Sequence, residues 1–143
     1  MFANDLVLDL QCERILAATE RGETIMTSDK PKKTDFYDRV LSGIEKVDAV
    51  FESNSILAFH HTKPSYPFHI VIIPKKKILD FMDPKIFEDS LISDVFRVAQ
   101  EILKNENFDS AGFRIVTNAG SYQESGHLHF HLISGSFKSY DSI

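Results

Sequence analysis

His127-Leu128-His129-Phe130-His131-Leu132-Ile133 alternates imidazoles with apolar side chains. Successive side chains of a β-strand point to opposite faces. The run therefore predicts a strand over His127–Ile133 with three imidazoles on one face and Leu128, Phe130 and Leu132 entering the core. A core needs no histidine, so the polar face requires another explanation. All six histidines of the chain fall in two short windows, 60–69 and 127–131.

Gly112–Thr117 reads as the strand before this one. The loop between them, Asn118 to Gly126, contains Gly120, Ser121, Ser125 and Gly126. These residues tolerate unusual backbone angles, and exposed N–H groups there suit phosphate oxygens. Further upstream, Asp83-Pro84 supplies an N-cap and a proline at the first helical position. The helix it opens should run to about Asn105, because Phe87, Leu91, Val95, Ala99 and Ile102 recur at spacings of three and four, with Ile92, Phe96 and Leu103 widening the stripe. His69–Ile73 reads as a β-branched strand stopped by Pro74. Val47–Glu52 and Ile56–His61 read as a hairpin around Ser53-Asn54. Thr34 or Asp35 should cap a short helix that carries Phe36, Val40 and Leu41 and ends at Gly43. Strands in hairpins interrupted by one long helix make an α+β fold with a mainly antiparallel sheet. Residues 1–25 read as an added helix and 27–33 as a proline-broken linker. The expected division is an N-terminal extension over 1–33, a domain over 34–137 and a short tail over 138–143.

The chain has 143 residues, enough for one domain with a real core. Its formal charge of −5 leaves no basic excess of the kind that marks nucleic-acid binding. Cys12 is the single cysteine, which excludes an internal disulfide and suits a reducing, cytoplasmic setting. The apolar runs, such as Ile70–Ile73, are far shorter than the ~20 residues that span a bilayer. The N-terminus lacks the basic and apolar regions of a signal peptide.

Three chemistries suit the imidazole row. On a strand, His127 and His131 have Cα atoms roughly 13 Å apart, so all three rings do not converge easily on one zinc with Zn–N bonds of ~2.0–2.1 Å. Two could bind a metal with His60, His61 or His69 as third ligand. A satisfied structural cluster is a second reading. The third is an elongated anion such as a phosphate ester: one neutral ring attacks phosphorus while its neighbour donates a hydrogen bond to a phosphate oxygen.

The residues also resemble a known family. His127-Leu-His-Phe-His131 followed by Leu-Ile is similar to the His-x-His-x-His signature of the histidine-triad (HIT) nucleotide hydrolases and transferases. Ala58-Phe59-His60, the Pro64–Pro67 loop, His69-Ile-Val-Ile-Ile-Pro74-Lys75-Lys76 and Asn118-Ala-Gly120 resemble further family elements, in family order, over roughly residues 34–135. Size and the short tail favour the Hint-like branch. The resemblance implies a HIT-like fold and hydrolysis of a nucleoside 5′-phosphoramidate or related adenylate, with dinucleoside polyphosphates or simple nucleotide binding as alternatives. It implies His129 as the nucleophile that forms a nucleotidyl-histidine. His131 would hold a nonbridging phosphate oxygen, with His127 and His69 as a supporting hydrogen-bond pair. Asn118 would take phosphate or ribose-side groups, and Phe36 and Phe59 part of a base pocket. The expected partners are a purine nucleoside monophosphate or derivative and a second copy of the chain, without cofactor, metal, nucleic acid or membrane.

Several positions depart from the family pattern. His61 stands where an acidic residue usually meets the ribose hydroxyls. Glu124 stands where a serine often assists the leaving group, with Ser125 as a substitute one place along. Lys77 replaces a histidine after Pro-Lys. Thr34 and Tyr37 stand where some bacterial relatives carry zinc-binding cysteines, so no structural zinc is expected.

Overall fold

The computed structural model describes residues 35–106 and 112–136. The expected N-terminal helix, its linker and the tail lie outside these residues. In chain order the elements are helix α1 (Phe36–Leu41), strands β1 (Ala49–Glu52), β2 (Ile56–His60) and β3 (Phe68–Pro74), helix α2 (Leu91–Asn105), and strands β4 (Arg114–Thr117) and β5 (Phe130–Ser134). The five strands form one antiparallel sheet in the order β1-β2-β3-β5-β4. The expected α+β architecture is the observed one.

Alternation along the two central strands divides the core in two. Ile70 and Ile72 of β3, with Leu128, Phe130 and Leu132, face one side. There they meet Leu91, Val95, Val98, Ala99, Ile102 and Leu103 of α2. Val71 and Ile73 face the other side with Leu57 and Phe59, under Tyr37 and Val40 of α1. Asp35 caps α1 by accepting the Tyr37 N–H at 2.9 Å, and Gly43, with φ of 79°, follows its end.

Two expectations change. Residues 84–105 are not one helix. A 3₁₀ turn occupies Pro84–Phe87, and Asp89 and Ser90 then take φ of 54° and 60° before α2 begins. Asp and Ser compete with helical hydrogen bonding through their own side chains, which favours a break at such a pair. The break shifts the helical phase, so Ile86 is buried while Phe87 is 82% exposed. Phe96, also assigned to the apolar stripe, is exposed. The second change is that β5 starts at Phe130. His127, Leu128 and His129 precede it and are held by other bonds: Leu128 N–H donates to the Ile78 carbonyl at 2.7 Å, and Thr117 Oγ1 donates to the His129 carbonyl at 2.9 Å. The facing survives the loss of ladder pairing, for Leu128 is fully buried in the α2-side core.

Candidate active site

The three imidazoles stand on the α1 side of the sheet and are buried: His127 is 0%, His129 6% and His131 2% exposed. His69 joins them by register. It pairs with Ile133, and Val71 pairs with His131, so His69 and His131 are diagonal neighbours on one face.

Each ring's partners determine which nitrogen carries its proton. A backbone carbonyl can only accept, so His129 Nδ1–H donates to the His127 carbonyl at 2.9 Å. In the neutral ring this leaves a lone pair on Nε2. Ser65 N–H donates to His69 Nδ1 at 3.1 Å, so His69 carries its hydrogen on Nε2 and donates it to His131 Nδ1 at 2.9 Å. His131 must then hold its own hydrogen on Nε2, a buried nitrogen without a protein partner. The site thus presents opposite functions on adjacent rings, a lone pair on His129 and a donor on His131. Their centroids are 4.9 Å apart.

The protonation states suit this arrangement. Burial, then His127 hydrogen bonding and Asp35 in opposition, leaves His129 below the ordinary imidazole pKa. Burial followed by the neighbouring imidazoles pushes His131 down to about 3, and burial with His61 pushes His69 to about 4. Desolvation disfavours the charged form, so all three are neutral near pH 7.

The expected supporting pair of His127 and His69 is not formed. His69 bonds to His131, while His127 Nε2–H donates to the Pro74 carbonyl at 2.8 Å. His127 Nδ1 lies 3.8 Å from Asp38 Oδ1, and Lys77 Nζ sits 2.7 Å from the same oxygen. Lys77 and Asp38 thus pair at the edge of the site, beside a His127 Nδ1 that is buried with no hydrogen-bond partner. Lys75 pairs with Glu52, and Lys76 with Glu88 and Asp89. The basic run after Pro74 is thereby matched, lysine by lysine, with carboxylates.

Other expected site residues are distributed unevenly. Phe59 is 1% exposed within the α1-side core. It packs against Tyr37 at 6.2 Å between centroids, which closes its ring to a base. Phe36 is only partly buried, with Arg39 5.8 Å over its ring. Asn118 is half-buried and Glu124 exposed. Ser125 Oγ donates to Asp35 Oδ1 at 3.2 Å and accepts the His127 N–H at 3.1 Å, and Gly126 N–H bonds to Asp35 Oδ2. One loop amide expected to meet phosphate, that of Gly126, is therefore used to build the turn, and the Ser125 hydroxyl serves Asp35. His60, one of the candidate third metal ligands, lies exposed 3.9 Å from Asp48. His61 joins the cluster: its ring stacks on His69 at 4.2 Å and lies 5.7 Å from His131.

Two contributors escaped the sequence reading. Tyr37 lies 4.8 Å from the His129 ring, and burial with Asp35 and Glu124 nearby raises its pKa, so its phenol stays neutral. Asp38 brings its carboxylate to within 3.8 Å of His127 Nδ1. Both sit in the first turn of α1, and only the aspartate-capped start of that helix signalled them.

The HIT-domain family model matches residues 44–138. The chain belongs to the HIT family. A HIT-like protein of Chlamydia muridarum is 32% identical over 104 residues, covering 71% of this chain and 82% of the relative. One from Rickettsia prowazekii is 32% identical over 107 residues, covering 72% and 88%. Among solved structures, a histidine triad protein from Clostridium difficile is 30% identical with a TM-score of 0.67, covering 79% of this chain and all of that one. A HIT family hydrolase from Legionella pneumophila is 30% identical with a TM-score of 0.66, covering 75% and 97%. The HIT-like fold expected from the triad is thus the fold found. Among the described residues no helix is long and apolar enough to cross a membrane.

Proposed function

We propose that this HIT protein, read as a member of the Hint-like branch, hydrolyses nucleoside 5′-phosphoramidates or related adenylates through a nucleotidyl-histidine on His129. The observation that carries this reading is the pair of opposed tautomers: His129 with its Nε2 lone pair free, His131 with its Nε2–H unpartnered. His129 Nε2 attacks the α-phosphorus, forming a P–N bond. The bond to the leaving amine or phosphate breaks, and that group departs with the electron pair and takes a proton from water in the site. His131 donates to a nonbridging oxygen, where charge develops. Water then attacks the same phosphorus, releasing a purine nucleoside monophosphate and returning His129 to its neutral form. Asn118 and Phe36 serve the nucleoside side, as the family resemblance implies. The reaction needs no cofactor, and the single cysteine suits a cytoplasmic protein.

A reading as a nucleotide-binding module with little turnover draws support from the Ser125 hydroxyl, which is engaged by Asp35. Incubation with an adenosine phosphoramidate and, separately, a diadenosine polyphosphate distinguishes the readings. The phosphoramidate should turn over faster, and an acid quench should trap adenylylated protein. His129→Ala should lower phosphoramidate turnover by on the order of 10³-fold or more and abolish the trapped adduct. Wild-type rates in His129→Ala would exclude His129 as the nucleophile. The protein is further proposed to be a homodimer. Sedimentation equilibrium should return twice the chain mass of 16.3 kDa, and a mass of one chain would refute it.

A further inference from the structure

The proposed nucleophile, His129, lies outside the sheet ladder, because β5 begins only at Phe130. Side-chain bonds therefore hold the turn that leads into it. Asp35 binds that turn twice, accepting Ser125 Oγ–H at 3.2 Å on one carboxylate oxygen and the Gly126 N–H on the other. Ser125 Oγ in turn accepts the His127 N–H at 3.1 Å, and the His127 carbonyl accepts from His129 Nδ1 at 2.9 Å. The Ser125 hydroxyl has a second acceptor in reach, the His127 carbonyl at 3.3 Å, but an ionised carboxylate is the stronger acceptor. Beyond His127, Leu128 N–H bonds to the Ile78 carbonyl and Thr117 Oγ1 to the His129 carbonyl. Asp35 is itself fixed as the N-cap of α1, so the helix start and the turn share one anchor.

We propose that Asp35 and Ser125 are positioning residues for His129: they hold the His127 backbone so that its carbonyl keeps hydrogen on His129 Nδ1 and the lone pair on Nε2. Without that carbonyl the neutral ring can carry its hydrogen on either nitrogen. Only one of those two tautomers offers Nε2 to phosphorus. Ser125 acts here through the backbone and does not touch the nucleotide. A carboxylate is needed because the ties are divided between its oxygens. Tyr37 N–H and Ser125 Oγ share Oδ1, and Gly126 N–H takes Oδ2. An amide, with a single acceptor oxygen, cannot serve both sides. The control of the tautomer stands without any reaction, whereas its consequence for rate rests on the proposed role of His129.

The test is nitrogen NMR of the full chain carrying isotope-labelled histidine, at neutral pH, which distinguishes the two tautomers of His129. The wild type should show the Nδ1–H form. Ser125→Ala and Asp35→Asn should each populate the Nε2–H form, and Ser125→Thr, which keeps the hydroxyl, should retain the wild-type spectrum. Ser125→Cys serves as the second variant should Ser125→Ala fail to fold. The double variant should be no more altered than the stronger single one, because both substitutions break one chain. An unmixed Nδ1–H form in the variants, or additive effects in the double variant, would overturn the proposal. In single turnovers of an adenosine phosphoramidate, adenylylation should slow about tenfold or more in Ser125→Ala and Asp35→Asn, the weight of one hydrogen bond to a charged group. AMP binding should stay within about twofold of the wild type, as expected when an interaction serves the reaction and not the ground state. AMP affinity that falls in step with the rate would make Ser125 a nucleotide contact and overturn the positioning role. A wild type that forms no adduct would instead count against the proposed reaction, and the NMR result would still decide the control of the tautomer.

Discussion

A histidine's chemistry depends on which of its two nitrogens carries hydrogen, and here three backbone groups decide it. The Pro74 and His127 carbonyls and the Ser65 amide fix His127, His129 and His69. His131 follows from His69. The alternation of His127–Ile133 made the buried imidazole row legible, since facing follows from period alone. The tautomers were not legible, because their partners come from chain segments whose approach only the fold creates. His61 illustrates the same limit: nothing in its neighbours announces a ring stacked on His69. The proposed nucleophile, His129, must be neutral to attack, and burial holds it below the ordinary imidazole range. The acid limb of kcat/KM for the phosphoramidate should therefore have its midpoint below pH 6.5, with activity falling as pH falls through it. A midpoint above 6.5 would show that another group controls the reaction.

At the level of elements, the start of α1 does more than begin a helix. Asp35 accepts from Tyr37 N–H within α1 and from Ser125 Oγ and Gly126 N–H immediately before His127. The cap was readable from the sequence, because Asp is a preferred N-cap. Its tie to a loop some 90 residues away was not, since local patterns carry no long-range pairing. Asp35→Ala should cost about 1–2 kcal/mol in urea unfolding, the range for a lost cap. Asp35→Asn, which keeps an acceptor oxygen, should cost less. Equal losses would mean that the carboxylate's tie to the loop matters more than its cap. The long helix shows the opposite failure. Its apolar stripe was read correctly at Leu91, Val95, Ala99, Ile102 and Leu103 but not at the exposed Phe96, and continuous periodicity carried the expectation through Asp89-Ser90, where the backbone turns left-handed.

For the whole molecule, burying neutral imidazoles makes stability depend on pH. His69 and His131 titrate near 6.5 when unfolded but at about 4 and about 3 when folded. Between those values the unfolded chain binds protons that the folded chain does not. Stability from this source is complete above pH 6.5 and is lost as pH falls toward the folded values. The slope approaches about 1.4 kcal/mol per pH unit for each ring. Urea unfolding at pH 7 and pH 5 should show the acid sample less stable, and His131→Asn should narrow the difference. A gap unchanged in that variant would assign the pH response to other groups. The overall α+β layout was legible because each strand and helix has its own period. Strand order was not, for nothing local states that β5 inserts between β3 and β4.

That insertion has a consequence for how the protein comes to life. His69 and His131 are 62 residues apart, and they meet only when β5 docks beside β3 at the middle of the sheet. The β1–β2 hairpin and α2 draw on nearby residues, whereas contacts of such separation are slow to form. A chain with its early hairpin and helix in place would still lack the site of the proposed reaction. An assay of the proposed hydrolysis run during refolding would therefore time the arrival of the last central strand, with that reaction as the clock.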